Sequence, residues 1–215
     1  MKPNLADLRK SYEKGSLDIE AVGDNPFQLF KKWFQQAEES DKIEEANAMT
    51  LSTLGEKGYP KARVVLLKGF SEEGFVFFTN YDSEKGRSLL MNPKVGLAFF
   101  WPPLERQIII KGNAEKLSPE KSDAYFNSRP RGSQLGALVS PQSEVIPNRK
   151  FLEDRLKALE EKYKNIPIPR PDNWGGILIK PIQIEFWQGR PNRLHDRILY
   201  QSINHSSWKI ERLAP

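Results

Sequence analysis

The sequence predicts a mainly β, α+β fold, a small antiparallel barrel with flanking helices, and three features carry that prediction. Between residues 48 and 117, β-branched, leucine and aromatic residues recur in short runs separated by turns containing Gly, Pro, Asp or Asn. The same texture returns between residues 176 and 213. Outside these runs, several segments show helical spacing behind clear N-caps. Closely spaced antiparallel strands of this kind suggest a small barrel.

The first twenty residues are polar and include Pro3 and Gly15, which predicts a mobile arm over residues 1–20 with a helical turn around residues 5–12. Asn25 then caps a helix that has Pro26 at its first position and Phe27, Phe30, Trp33, Phe34 and Ala37 at helical spacing. Strands are expected at residues 48–54, 61–70, 75–80, 95–101 and 106–117, with hairpin loops at 55–58 and 71–74. A short helix capped by Ser83 interrupts them before Asn92 and Pro93. Ser118 and Pro119 open a further helix that ends near residues 128–130, and residues 132–147 read as a helical turn followed by a loop. Asn148 caps an amphipathic helix bearing Phe151, Leu152, Leu156, Leu159 and Tyr163, stopped by the prolines between 167 and 171. Late strands at 176–179, 182–188, 197–201 and 207–213 complete the sheet, so residues 21–215 read as a single domain.

Composition narrows the function. With 38% hydrophobic and 11% aromatic residues, the chain has the bulky apolar groups that disordered sequences lack. The absence of cysteine excludes disulfides, thiolate metal sites and a cysteine nucleophile. Residues 1–18 are charged and lack the apolar run of a signal peptide, and nothing approaches a membrane span, so a cytoplasmic protein without a membrane partner is expected. The net charge of +5 suits anionic ligands or simple solubility, and because the basic residues are dispersed it does not mark a nucleic-acid binder. No Gly-x-Gly-x-x-Gly, Walker, His-Glu-x-x-His or Gly-x-Ser-x-Gly motif is present, which argues against Rossmann dehydrogenases, phosphate-loop NTPases, zinc proteases and common serine hydrolases.

Three segments carry candidate chemistry. Residues 63–68 (RVVLLK) form a strand that is cationic at both ends; alternation puts Arg63, Val65 and Leu67 on one face and Val64, Leu66 and Lys68 on the other. Ligand contacts and solvated strand ends both fit that pattern. Residues 125–133 (YFNSRPRGS) combine a phenol, two guanidiniums and several hydroxyl or amide groups beside Gly132. Arginine suits phosphate because its planar fork offers two parallel charge-assisted bonds, although a polar helix-end loop has the same composition. Residues 185–197 (EFWQGRPNRLHDR) bring Trp187, Arg193, His195, Asp196 and Arg197 into one strand-loop-strand unit. Flanking arginines disfavour a charged His195, leaving a neutral hydrogen-bond partner, while Trp187 can equally be core and Arg193 can pair with Asp196. The second histidine, His205, reads as a solvated loop residue.

With these residues in view, the sequence resembles the pyridoxine/pyridoxamine 5'-phosphate oxidase family over nearly its whole length. The resemblance is carried by RVVLLK at 63–68, FTN at 78–80, LERQ at 104–107, YFNSRPRGSQLGA at 125–137, SPQS at 140–143, WGG at 174–176, EFWQG at 185–189 with RLHDR at 193–197, and WKIERLAP at 208–215. It implies an FMN-binding split β-barrel that works as a homodimer. It further implies oxidation of pyridoxine or pyridoxamine 5'-phosphate to pyridoxal 5'-phosphate, with O2 reduced to H2O2 and ammonia released from the amine.

By the same matching, FMN falls to Arg63, Val64, Val65, Leu66, Leu67, Lys68, Phe78, Thr79, Glu84, Lys85 and Gln107 from one subunit and to Gln142, Ser143, Trp187 and Arg197 from the other. The substrate phosphate falls to Lys68, Tyr125, Arg129 and Ser133, with Arg193, Leu194 and His195 against the pyridine ring. Arg193 and His195 take the catalytic positions, and Arg9, Lys10, Ser11 and Tyr12 resemble a segment that closes over substrate. No metal is implied. Two positions depart from the pattern. Glu84 stands where many relatives have arginine, which puts one FMN phosphate contact of about 1.5–3 kcal/mol in question. Phe78 stands where some have tyrosine. The competing readings are a flavin-binding module without B6 activity, which has no need of Tyr125, Arg129, Ser133, Arg193 and His195, and, more remotely, a basic nucleic-acid-binding barrel.

Overall fold

The computed structural model describes residues 4–8, 10–55, 57–204 and 207–215. Five α-helices are described: α1 (Pro26–Glu38), α2 (Glu84–Met91), α3 (Pro119–Ser128), α4 (Arg131–Val139) and α5 (Arg149–Tyr163). Nine strands accompany them: β1 (Ala48–Leu54), β2 (Pro60–Leu66), β3 (Gly69–Ser71), β4 (Gly74–Asn80), β5 (Lys94–Trp101), β6 (Arg106–Lys116), β7 (Trp174–Gln188), β8 (Asp196–Asn204) and β9 (Ser207–Leu213). They hydrogen-bond in the order β2-β1-β5-β6-β7-β4-β3, with β8 paired to β7 and β9 to β8, so the path is open at both ends. The chain separates into two compact units.

The first unit comprises Met1–Leu51, Gly96–Gly112 and Pro181–Pro215. Asn25 accepts from the Phe27 amide at 2.9 Å and Pro26 fills the first helical position, which fixes where α1 begins. The helix buries Phe27, Leu29, Phe30, Trp33 and Ala37. Phe30 meets Phe99 edge-on at 5.3 Å and Trp33 meets Phe186 at 5.2 Å, so one helical stripe seals against β5 and β7. At the far side of this core the fully buried Tyr200 directs its hydroxyl at the carbonyls of Gly23 (2.8 Å) and Val22 (3.2 Å).

The second unit comprises Ser52–Val95 and Asn113–Lys180. Here β4 pairs antiparallel with β7 from Phe75↔Ile179 to Asn80↔Trp174. Ser83, Ser118 and Asn148 cap α2, α3 and α5 as their side chains predict. Phe126, Leu135, Tyr163, Ile168 and Trp174 form a core under α3, α4 and α5.

Three boundaries differ from the sequence reading. The expected strand at 61–70 is two strands, because β2 stops at Leu66 and the Lys68 amide turns to the Val76 carbonyl (2.8 Å) ahead of the β3–β4 hairpin. The expected turn within 132–147 is a nine-residue helix, α4; Gly132 and Gly136 weaken its helical signal, while burial of Leu135 and Val139 holds it. The expected strands at 176–179 and 182–188 are one strand, β7. Pro181, which lacks an N–H, lies between the stretch paired with β4 (174–179) and that paired with β8 (183–188), so neither ladder loses a donor there. His205 lies outside the described residues.

Two tests follow from this packing. Gly74 has φ of 141°, and a Cβ there would stand 2.1 Å from the Ile179 carbonyl oxygen. Gly74→Ala is expected to destabilise by on the order of 3 kcal/mol, seen as a lower thermal midpoint; an unchanged midpoint contradicts the turn. Burial, reinforced by the negative charge of Asp24, pushes the Tyr200 phenol from 10.0 up to about 12. The folded state therefore retains a proton that the unfolded chain releases, so this contribution to stability is complete below pH 10 and is lost as pH rises to about 12. Urea unfolding between those limits should show a loss for the unaltered protein that is smaller in Tyr200→Phe.

Candidate active site

The second unit contains a cavity of about 440 Å³, within the usual range for small-molecule pockets. One wall is a stack of rings. Tyr125 from α3 lies 3.7 Å from Phe78 of β4 at an interplanar angle of 16°, and Trp174, at the start of β7, continues the stack 5.5 Å from Phe78. The stack is possible because β4 faces glycines: Phe78 pairs with Gly176 and Thr79 with Gly175. A Cβ on Gly176 would meet Phe78 at 2.9 Å, and one on Gly175 would meet the Tyr81 hydroxyl at 2.2 Å. The WGG signature thus keeps an aromatic wall flat.

The cavity's polar side is cationic. Tyr125 and Arg129 stand four residues apart at the end of α3, and both line the cavity with Ser133 from the first turn of α4. The Arg129 guanidinium lies 4.6 Å over the Trp174 ring, and its Nη1 is buried with no hydrogen-bond partner in the structure. Lys85, in the first turn of α2, donates to Gln142 Oε1 at 3.2 Å, and Thr79 reaches the same oxygen at 3.4 Å. Arg63 of β2 does not line the cavity; next to the lining residue Val64, it donates to Thr53 at 2.7 Å.

Burial lowers the pKa of Arg63, Lys85 and Arg129 below their ordinary values. The positive charge of Arg63 depresses Lys85 further, while Glu84 opposes the shift at both. Tyr125 is pushed up by burial and held back by Arg129. Partly desolvated cations, with Arg63 acting against Lys85, make surroundings in which a bound anion is favoured.

Several residues matched to FMN or substrate gather here: Val64, Val65, Leu66, Lys68, Phe78, Thr79, Lys85, Tyr125, Arg129, Ser133 and Gln142 all line the cavity. Others do not. Leu67 is buried away from it. Glu84 is turned to an ion pair with Lys61, which holds its carboxyl below the ordinary value, so it contributes no wall. Ser143 has a left-handed backbone (φ 76°) just beyond the cavity. The resemblance places Gln142 on the opposite subunit from Lys85; the structure instead bonds the two within one chain, because the turn after α4 returns to the end of β4. Trp174, Asn80, Gly136, Ala137 and Ser140 also line the cavity, though motif matching assigned them no ligand; the glycine pair after Trp174 does not line it but signals the close approach behind the ring stack.

The first unit holds the remaining candidates. His195 Nδ1 accepts from the Arg190 amide at 3.1 Å, which leaves Nε2 to carry the proton of a neutral ring. Trp187 lies 4.6 Å from His195, and Tyr12 meets both rings edge-on, at 5.6 and 5.7 Å. Arg193 and Leu194 are exposed beside them. Arg193 has φ of 62°, and Asp196 does not pair with it; that carboxylate is held by Arg212 (3.0 Å) and the Leu17 amide (3.0 Å). Arg197 makes a two-pronged contact to Glu185 (2.8 and 3.1 Å), which raises its pKa. Gln107 is half-buried in β6. Lys10 and Ser11 flank Tyr12 on its N-terminal side, and Arg9 lies outside the described residues.

Comparison with known proteins agrees with this geometry. The family description "Pyridoxamine 5'-phosphate oxidase" matches residues 36–163, and "Pyridoxine 5'-phosphate oxidase C-terminal dimerisation region" matches residues 174–215. The chain is 59% identical to a pyridoxine/pyridoxamine 5'-phosphate oxidase of Flavobacterium johnsoniae, over 98% of this chain and 99% of that one. It is 52% identical to one from Leptospira interrogans over the whole of both chains. Among solved structures, PhzG from Burkholderia lata, in complex with tetrahydrophenazine-1-carboxylic acid, superposes with a TM-score of 0.84 at 27% identity, covering 94% of this chain and all of the other. An FMN-binding protein of Nostoc punctiforme shares the fold with a TM-score of 0.71 at 18% identity, over 90% of this chain and all of its own. The chain belongs to the pyridoxamine 5'-phosphate oxidase family.

Arg129 yields a direct test of the cavity's electrostatics. Arg129→Met gives up a cation–π contact of about 0.5–2 kcal/mol and removes a buried unsatisfied N–H that costs about 1–3 kcal/mol. The thermal midpoint in phosphate-free buffer is therefore expected to stay level or rise. A fall of several degrees contradicts the orphaned guanidinium.

Proposed function

We propose that the chain is an FMN-dependent oxidase that converts pyridoxine 5'-phosphate and pyridoxamine 5'-phosphate to pyridoxal 5'-phosphate, with O2 reduced to H2O2. It acts as a cytoplasmic homodimer. The observation that carries this reading is the second unit's cavity, where the unpartnered buried N–H of Arg129 stands beside a flat aromatic wall. Full-length relatives at 52–59% identity bear the name of this activity. Among the described residues no helix is long and apolar enough to cross a membrane.

The donor set suits FMN. Lys85 in the cavity and Arg63 beside it supply charge for its phosphate, Thr79 and Gln142 supply polar groups, and Val64, Val65 and Leu66 of β2, with Lys68 just beyond, supply backbone that can edge a ring. Gln107, Ser143, Trp187 and Arg197 complete the set, the last two from the partner subunit. Glu84 is engaged by Lys61 and is not needed as an FMN contact.

When bound, FMN supplies the two-electron acceptor that this chain's side chains lack. The protein's own work is positional. Lys68, Tyr125, Arg129 and Ser133 take the substrate phosphate, fixing the ring's register from a point away from the reacting carbon. Arg193 and His195 of the partner subunit face the pyridine ring, with the proton on His195 Nε2 available to the reacting substituent. Tyr12 of the same partner subunit, which in each chain stands against Trp187 and His195, covers the ring and excludes water.

Purified protein should show a flavin absorption spectrum and release peroxide in air on addition of pyridoxine 5'-phosphate. Arg129→Met is expected to raise KM about tenfold to a hundredfold, and Arg193→Ala to lower kcat by about a hundredfold. Bound flavin without peroxide favours a flavin-binding module, and equal, small effects of the two substitutions contradict the assigned roles.

A further inference from the structure

Among the described residues of the first unit, Glu105 is the most deeply buried acid, with a side chain only 2% exposed, and it does not belong to the cofactor or substrate set. It sits just before β6 with φ of 57°, a left-handed conformation that an L-residue adopts at a cost. Its Oε2 accepts from two successive amides, Glu13 (2.8 Å) and Lys14 (3.0 Å), and its Oε1 pairs with the Lys10 ammonium at 3.0 Å. Burial pushes the carboxyl up, but the two amides and Lys10 outweigh it and leave the pKa below the ordinary value.

The same residue reaches the other wall of this region through its backbone. The Glu105 carbonyl accepts from the Gly189 amide at 2.8 Å and from Gln188 Nε2 at 3.2 Å, and Arg106 Nε holds the Gln188 side chain at 2.9 Å. Tyr12 therefore lies between two segments that one residue ties together. Gly189 admits it: a Cβ there would stand 2.8 Å from Tyr12 Cβ. The other anchors, Arg190 on the Gly15 carbonyl (2.9 Å) and Asp196 on the Leu17 amide (3.0 Å), lie C-terminal to Tyr12. Glu105 alone among these anchors grips the chain on both sides of it.

We propose that Glu105 is a positioning residue of the oxidase: its buried carboxylate sets the arm so that the Tyr12 ring stands against Trp187 and His195. The catalytic part of this inference rests on the oxidase reading above; the anchoring part does not. Glu105 acts through Tyr12 and touches no reacting atom.

The test uses Glu105→Gly, which suits the left-handed backbone and removes only the side chain that carries the carboxylate, together with Tyr12→Ala and the double variant, all as FMN-loaded protein. Limited trypsin digestion should cut after Lys10 and Lys14 about tenfold faster in Glu105→Gly than in the unaltered protein. KM for pyridoxine 5'-phosphate should rise about tenfold with kcat changed less than about threefold, and the double variant should be no worse than Tyr12→Ala. Unchanged cleavage overturns the anchor. Additive kinetic effects, or an unchanged KM, overturn the positioning role. An unaltered protein that makes no peroxide removes the oxidase reading and the catalytic role with it, while the cleavage rates still decide the anchor.

Discussion

A half-buried guanidinium whose Nη1 is sequestered without a hydrogen-bond partner is the constraint around which the second unit's cavity is arranged. Leaving such a donor without a partner costs more than a made hydrogen bond returns, so the arrangement persists only if something compensates. Trp174 supplies part of that by lying under the Arg129 guanidinium, and in the proposed function the substrate's phosphate oxygen supplies the rest. The neighbouring residues follow from the same requirement. α3 ends where Tyr125 and Arg129 reach the cavity, Gly175 and Gly176 keep the ring stack flat, and Arg63 and Lys85 are partly desolvated.

The first unit solves a different problem, that of fixing a polar N-terminal segment against an aromatic cluster. Trp187, His195 and Tyr12 contribute ring contacts, which are weakly directional, whereas the carboxylates of Glu105 and Asp196 contribute hydrogen bonds to backbone amides, which fix position. His195 is oriented by the Arg190 amide and Arg197 by Glu185, so each of these two side chains has its own support.

Much of the fold was legible because its signals are local. Asn25, Ser83, Ser118 and Asn148 each cap the helix that their side chain announces, and the strands at 48–54 and 106–116 lie where β-branched, leucine and aromatic residues gather between turn signals. What was not legible depends on distant partners. α4 carries two glycines and is held by burial of Leu135 and Val139, and β7 runs through Pro181, which lies between the stretch paired with β4 and the one paired with β8. The same division holds for the site. Arg129, Lys85 and His195 stand in motifs, whereas Glu105 gains its positioning role only when residues 10–14 fold back onto it.

Affinity for the phosphate group tests the central claim most directly, by isothermal titration of the FMN-loaded protein with pyridoxal 5'-phosphate and with pyridoxal. The account predicts that the phosphate ester binds at least about a hundredfold more tightly. Equal affinities would contradict it, because the unpartnered Nη1 of Arg129 would then have no anion to meet.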